Sequence, residues 1–290
     1  APFYSDKYQK KTVMAGELLY PDKLWDRLEG ILEWKNLTLT KVYGAKPYTM
    51  DDLKAWVAEY GEKIKPFLCD TGAFLRQADK AGKSILFEAQ LGSLRDLDYG
   101  IYPMTTSSNP IAAYAPVGSG YPEAKIEKVV GVVKAYSSCV GEGPFTCEWF
   151  GEEAEKLREA GGEYGAKTGR PRRVGPIDIV ATRYGIQCQG ATDIALTKLD
   201  VLSYMDEIPI CDRYELDGQI TDDFPFPTLL PDAKPVMKTM PGWRCDISGV
   251  RRWEDLPKEA RDYVEYVEKA VGCRITYVSV GAERDAIIIR

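Results

Sequence analysis

The sequence has 290 residues, 44% apolar and 28% charged, with a formal net charge of -6 and a pI near 5.1. That length buries a core without staples and the composition excludes sustained disorder. No apolar run approaches the roughly 20 residues of a membrane helix, and the acidic balance excludes broad binding along a nucleic-acid backbone, so an anionic ligand must be held by a local cluster.

The chain opens on "APFYSDKYQKK" with neither an initiator Met nor a signal-peptide pattern, and it is read as a piece of a longer protein. The first 80 residues read as helical. "YPDKLWDRLEGILEWKN" sets Leu24, Leu28, Ile31 and Leu32 on one face. "TMDDLKAWVAEYGEKI" starts with Thr49 and Asp52 in capping-box spacing before Leu53, Trp56, Val57 and Tyr60. The Trp and Leu stripes are expected in the core. In "AGKSILFEAQ" the apolar run 85–87 predicts a buried strand that feeds a loop, and "TTSSNP" marks a turn.

Further on, "PEAKIEKVVGVVKAY" passes from helix-like to strand-like, "EEAEKLREAG" is a helix with a glycine stop, and "GPIDIVATRYGIQ" is expected to be helical. "DIALTKLDVL" reads as a strand, Asp217 and Gly218 as a hairpin turn, "LPKEARDYVEYVEKAVG" as a helix from near Pro257, and "RITYVSVGAERDAIII" as two strands around a polar loop. The organisation is a helical segment, 1–82, a strand and loop segment, 83–131, and a mixed body, 132–290.

Three stretches could carry chemistry. Asp200 follows Lys198 where an apolar run ends; it can accept two hydrogen bonds from a guanine edge while the lysine stem lies along the ring, or the pair can be a polar strand end. "GGEYGAKTGRPRRVG", 161–175, combines five glycines with Arg170, Arg172 and Arg173, as an anion clamp or a solvated basic loop would. "FEAQLGSLRDLDYGIYPMTTSSNP", 87–110, places hydroxyls at 105–108 either for a polar ligand or as capping residues. Neither "AGKS", with Gln77 where the motif needs its first glycine, nor "GAKT" completes a phosphate loop. Seven cysteines without a CxxC pair suggest reduced thiols and a cytoplasmic protein instead of a zinc site, and the total absence of histidine removes the commonest acid, base and metal ligand.

Taken in order, "FEAQLG", "DLDYGIYP", "TTSSN", "KAYSSCVGEGPF", "EYGAKTGRPRRVG", "LTKLD", "PGW" and "SVGAER" resemble the motifs of the adenylosuccinate synthetase family. The resemblance implies an α/β fold: a mixed sheet of a P-loop-NTPase-like synthetase, a helical insert and a C-terminal α+β subdomain, with the N-terminal third of the family's chain not in this sequence. It implies a GTP-dependent, Mg2+-dependent ligase in purine biosynthesis that joins IMP and L-aspartate as a homodimer, neither membrane-bound nor nucleic-acid-binding. The alternative is a non-catalytic nucleotide-binding or dimerising remnant.

The roles it implies fall on three groups of residues. Lys198, Leu199, Asp200, Ser279, Val280, Gly281 and Arg172 would contact GTP. Ala166, Lys167, Thr168, Gly169, Arg170 and Arg172 would bind aspartate. Lys10, Gln90, Thr106, Val140, Gly141 and Arg170 would bind IMP. Lys10 stands where the family has an arginine reaching across a dimer interface, Leu91 where it has glutamine, Lys167 where it has threonine, Cys139 where it has arginine and Tyr99 where it often has histidine. No catalytic residue or metal ligand is assigned to this chain, since those of the family belong to the absent third.

Overall fold

The computed structural model describes residues 2–290, so Ala1 of the opening segment lies outside the description. The chain forms two compact units, one of residues up to 88 with 116–124, the other of residues 89–115 with 125–290.

The first unit is helical. Its elements are α1 (Pro2–Tyr8), α2 (Pro21–Lys41), α3 (Met50–Trp56), which runs on through a π turn into α4 (Glu62–Ile64), and α5 (Thr71–Lys80). The sequence dictates these starts: Thr49 Oγ1 accepts the Asp52 N–H at 3.1 Å while Asp52 accepts the Thr49 N–H at 2.7 Å, and Asp70 accepts the Ala73 N–H at 2.9 Å. The expected core stripe is only partly realised. Leu24 is buried, but Trp34 and Trp56 are 45% and 60% exposed, because no second apolar layer covers their face among the residues of this unit. Residues 83–90 form no strand either, and Leu86 stands 88% exposed. An apolar run becomes a strand only where its main-chain groups meet a neighbour, and no described strand pairs with this one.

The second unit is built on two sheets. The short helix α6 (Ala115–Ser119) falls in the first unit but for Ala115, residues 122–129 form no helix, and β1 (Val130–Lys134) and β2 (Tyr136–Cys139) of the second unit follow, separated by Ala135 alone. Next come α7 (Gly151–Gly161), β3 (Arg173–Asp178), α8 (Ile179–Gln189), β4 (Asp193–Thr197), β5 (Glu207–Leu216), β6 (Gln219–Thr221), β7 (Lys234–Pro241), α9 (Lys258–Val271), β8 (Ile275–Ser279) and β9 (Ile287–Ile289). The first sheet has the order β1-β4-β8-β9, the first three strands parallel and β9 antiparallel. The second has the order β2-β3-β5-β6, with β7 also on β5. This is an α/β architecture with mixed sheets, and no described helix is long and apolar enough to cross a membrane.

Local chemistry explains most boundaries. Gly162, Gly190 and Gly272 end α7, α8 and α9 in the left-handed conformation that a side chain disfavours. Asp217 and Gly218, both at positive φ, turn β5 into β6. The segment expected to be helical from Gly175 instead begins as β3. Pro176 has no N–H to give a helix, and the helix starts only where Asp178 Oδ1 accepts the Ala181 N–H at 2.9 Å. α9 buries Ala260, Tyr263, Val264, Val267 and Val271, one face of a 3.6-residue period, in a core shared with Ile194, Leu196, Ile275 and Val278 of the first sheet.

β3 runs tight against the loop above it: a Cβ at Gly175 would lie 2.2 Å from the Cys147 carbonyl oxygen. Gly175→Ala is expected to cost about 1–3 kcal/mol, read as a lower urea midpoint with an unchanged slope.

Candidate functional site

The C-terminal ends of three neighbouring parallel strands meet at one edge of the first sheet. Lys134 closes β1 and pairs in register with Thr197 of β4, and Leu196 pairs with Val278 of β8, which brings the 198–200 turn beside 279–281. Ligands of open α/β sheets collect at such edges. Lys198 itself is left-handed, with φ of 60°, a conformation few lysines adopt, and it turns the chain into the 3-10 segment Leu199–Tyr204. Leu199 and Val280 are fully buried, so they offer a ligand their main chain only. Ser279 donates its hydroxyl to the Gly281 carbonyl at 3.0 Å.

Beneath this edge lies a carboxylate. Glu163, fully buried in the loop after α7, accepts from Lys134 Nζ at 2.6 Å, from Tyr136 Oη at 2.5 Å and from Arg172 Nη1 at 2.8 Å. Lys198 Nζ is 3.9 Å from the same carboxylate and donates to the Gly161 carbonyl. Gly161 is required there, because a Cβ would stand 2.4 Å from Tyr136 Oη. Burial alone would raise the Glu163 carboxyl; the donors from Lys134, Tyr136 and Arg172 outweigh it and hold the group below its ordinary range. Burial pushes the Lys134 amine down, against the pull of Glu163 and with repulsion from Arg172 and Lys198 added. One carboxylate thus faces three cations. The surplus of positive charge is what an anionic ligand needs.

Two buried polar atoms at this place have no partner: Asp200 Oδ1 and Arg172 Nε. Desolvation pushes the Asp200 carboxyl upward, opposed by Lys198. Buried acceptors and donors are ordinarily paired, so an unpaired acceptor and an unpaired donor beside a cationic cluster describe a site awaiting hydrogen-bonding groups from elsewhere.

The three loop arginines do not act together. Arg173 is spent on Glu148 and on the carbonyls of Gly141 and Gly143, at 3.2 and 2.7 Å. Arg172 turns inward to Glu163. Arg170 is exposed at the end of a closed loop, in which Gly165 N–H donates to the Arg170 carbonyl at 2.9 Å and Gly169 N–H to the Gly165 carbonyl at 2.8 Å; Ala166, Lys167, Thr168 and Gly169 are exposed with it. Thr106 is half-buried, while Gln90, Val140 and Gly141 are exposed in the same unit. Leu91, with φ of 83°, is 54% exposed, and Lys10 lies on the helical unit.

A sequence profile described as adenylosuccinate synthetase matches residues 1–288. The chain belongs to the adenylosuccinate synthetase family. Adenylosuccinate synthetase of Bifidobacterium adolescentis is 45% identical over 288 residues, 99% of this chain and 67% of that protein. The Streptococcus gordonii enzyme is 45% identical over 285 residues, 98% and 66%. A structure of fully ligated adenylosuccinate synthetase from Plasmodium falciparum superimposes with a TM-score of 0.89 at 30% identity, covering 99% of this chain and 68% of that one. The chain therefore spans about two thirds of the length of these synthetases.

Of the residues expected from the sequence, the structure brings Lys198 and Arg172 to Glu163, with Asp200 two residues from Lys198; Glu163, Lys134 and Tyr136 were not singled out. The available signal was a glutamate inside a basic, glycine-rich loop, where a buried charge needs a reason. The sequence reading also missed a cluster of Cys147, Asp178 and Cys211, whose ligand-type atoms all lie within 4.8 Å of one another. That cluster is closed on itself: Asp178 Oδ2 accepts from Tyr214 Oη at 2.5 Å and from Cys147 Sγ at 3.7 Å, and Cys211 Sγ donates to the Arg213 carbonyl at 3.8 Å. Two soft thiols and one carboxylate, fully buried, do not suit Mg2+, which takes oxygen ligands and keeps waters.

Because the folded Glu163 carboxyl lies below its unfolded value, its contribution is present above the ordinary glutamate range and is lost as pH falls through the folded value. Glu163→Gln is expected to cost about 3 kcal/mol at pH 7, at the low end for a broken buried pair because its partners are partly exposed. The gap from the parent chain, followed by denaturant unfolding at stepped pH, is expected to close below the usual glutamate range.

Proposed function

We propose that this chain supplies the guanine site, the aspartate loop and most of the IMP contacts of an adenylosuccinate synthetase, in which GTP drives the joining of IMP and L-aspartate. The observation that carries the reading is the pair of buried, partnerless atoms, Asp200 Oδ1 and Arg172 Nε, beside a carboxylate with three cations. Asp200 accepts the N1–H and exocyclic amine of guanine, and the Lys198 stem covers the ring. Main-chain groups of Leu199 and of Ser279, Val280 and Gly281 close on the base. Arg172, its Nη1 fixed by Glu163, offers Nε to GTP and to the aspartate.

The exposed loop of Ala166, Lys167, Thr168, Gly169 and Arg170 takes the aspartate carboxylates, with Arg170 reaching IMP as well. Its internal hydrogen bonds pre-organise it for that task. Thr106 binds the IMP phosphate; Val140 and Gly141 line the ribose; Gln90 contacts the nucleotide. Lys10 reaches IMP of the other protomer in a homodimer. These residues bind and orient, and no acid or base is assigned to this chain, which has no histidine. GTP and Mg2+ enter as co-substrate and counter-ion, and the protein works in the cytoplasm.

Calorimetry of the chain with GDP and with IMP tests the reading, and heats at the dilution level for both ligands would overturn it. Asp200→Asn is expected to weaken GDP by ~1–3 kcal/mol, the cost of leaving a buried donor without its acceptor, and to leave aspartate affinity unchanged. Only ionised Asp200 accepts both guanine donors, and its carboxyl is raised by burial. GDP affinity is therefore expected to fall on acidification from above the ordinary aspartate range, and the Asn variant to lose that dependence.

A further inference from the structure

Among the proposed IMP contacts, Thr106 of the 104–106 loop and the Val140–Gly141 turn come from segments far apart in sequence. The turn has little hold of its own, since Val140 is 68% exposed and Gly141 is at φ of 86°. One residue touches both segments. The Arg95 carbonyl accepts the Thr106 N–H at 2.9 Å. Its guanidinium donates to the Met104 carbonyl, to the Val140 carbonyl at 3.0 Å and to the Glu142 carbonyl at 3.0 Å, and it lies against Cys139 Sγ. Arg173 grips the same turn from its other side, through Gly141 and Gly143, but reaches nothing in the 104–106 loop.

We infer that Arg95 is a positioning residue for the nucleoside-monophosphate site, a strap that fixes the phosphate-binding Thr106 relative to the ribose-lining Val140–Gly141 turn; this rests on the proposed reading of those residues. The chemistry requires arginine. Three carbonyls on two segments are met by the two terminal nitrogens of a planar fork, Nη1 on Met104 and Glu142 and Nη2 on Val140, which a single ammonium cannot span. Because the guanine edge at β4 and β8 shares none of these bonds, the strap acts on one ligand and not on the other.

The test compares Arg95→Met and Arg95→Lys with the parent chain by calorimetry with IMP and GDP and by hydrogen exchange. Arg95→Met is expected to weaken IMP by about tenfold while GDP stays within about twofold, and Arg95→Lys to fall between. Amides of residues 104–106 and 140–143 are expected to exchange faster in Arg95→Met, with those of β4 and β8 unchanged. Equal losses for the two ligands, or IMP binding and loop exchange both unmoved, would overturn the strap while leaving the reading of the site intact. A parent chain that binds no IMP overturns that reading and the strap's role with it, whereas the exchange data report separately on whether Arg95 holds the two segments.

Discussion

A buried carboxylate is stable only if it is paired and both of its oxygens are hydrogen-bonded, and Glu163 meets that condition: Oε1 accepts from Lys134 and Tyr136 and Oε2 from Arg172, with Lys198 just beyond. The four partners come from the end of β1, the start of β2, the entrance to β3 and the exit of β4. The one side chain therefore ties the edge of the first sheet to the edge of the second. Removing the charge would not merely delete a bond; it would leave mutually repelling cations with nothing between them. The positive surplus that remains when all are in place is the resource available for nucleotide and dicarboxylate.

Geometry divides the work within the arginine-bearing loop. Arg173 is consumed in holding the turn at 141–143, Arg172 is aimed by Glu163 and keeps one donor open, and Arg170 stays exposed at the rim. A sequence shows three equivalent cations where the fold makes a brace, a fixed donor and an exposed one. The left-handed Lys198 belongs to the same logic: strained backbone is kept where it directs a side chain to a defined place.

What could be foreseen follows from the range of the forces involved. Helix ends at Gly162 and Gly272, the Asp217–Gly218 turn, the Thr49–Asp52 cap and the strand pair near the C-terminus are decided within a few residues, and their sequence signals hold. The strand expected at 85–87 and the buried Trp stripe depended on a covering partner, which local pattern does not encode. Gly175 and Pro176 entered β3 instead of a helix because the neighbouring strands were there to pair with. At the site, Asp200 and Lys198 were legible as a pair two residues apart. Glu163 was not, because its partners lie at sequence separations of 9 to 35 residues on either side and only the folded chain assembles them.

The strand order β1-β4-β8-β9 carries a kinetic implication as well. The three parallel strands whose C-terminal ends meet at one edge come from well-separated parts of the chain, β1 at Val130–Lys134, β4 at Asp193–Thr197 and β8 at Ile275–Ser279. Long loops must close before any of these pairings returns free energy, so this sheet assembles slowly and late. During synthesis β1 emerges before β4 and β8, so the edge that their C-terminal ends frame exists only once all three strands have paired.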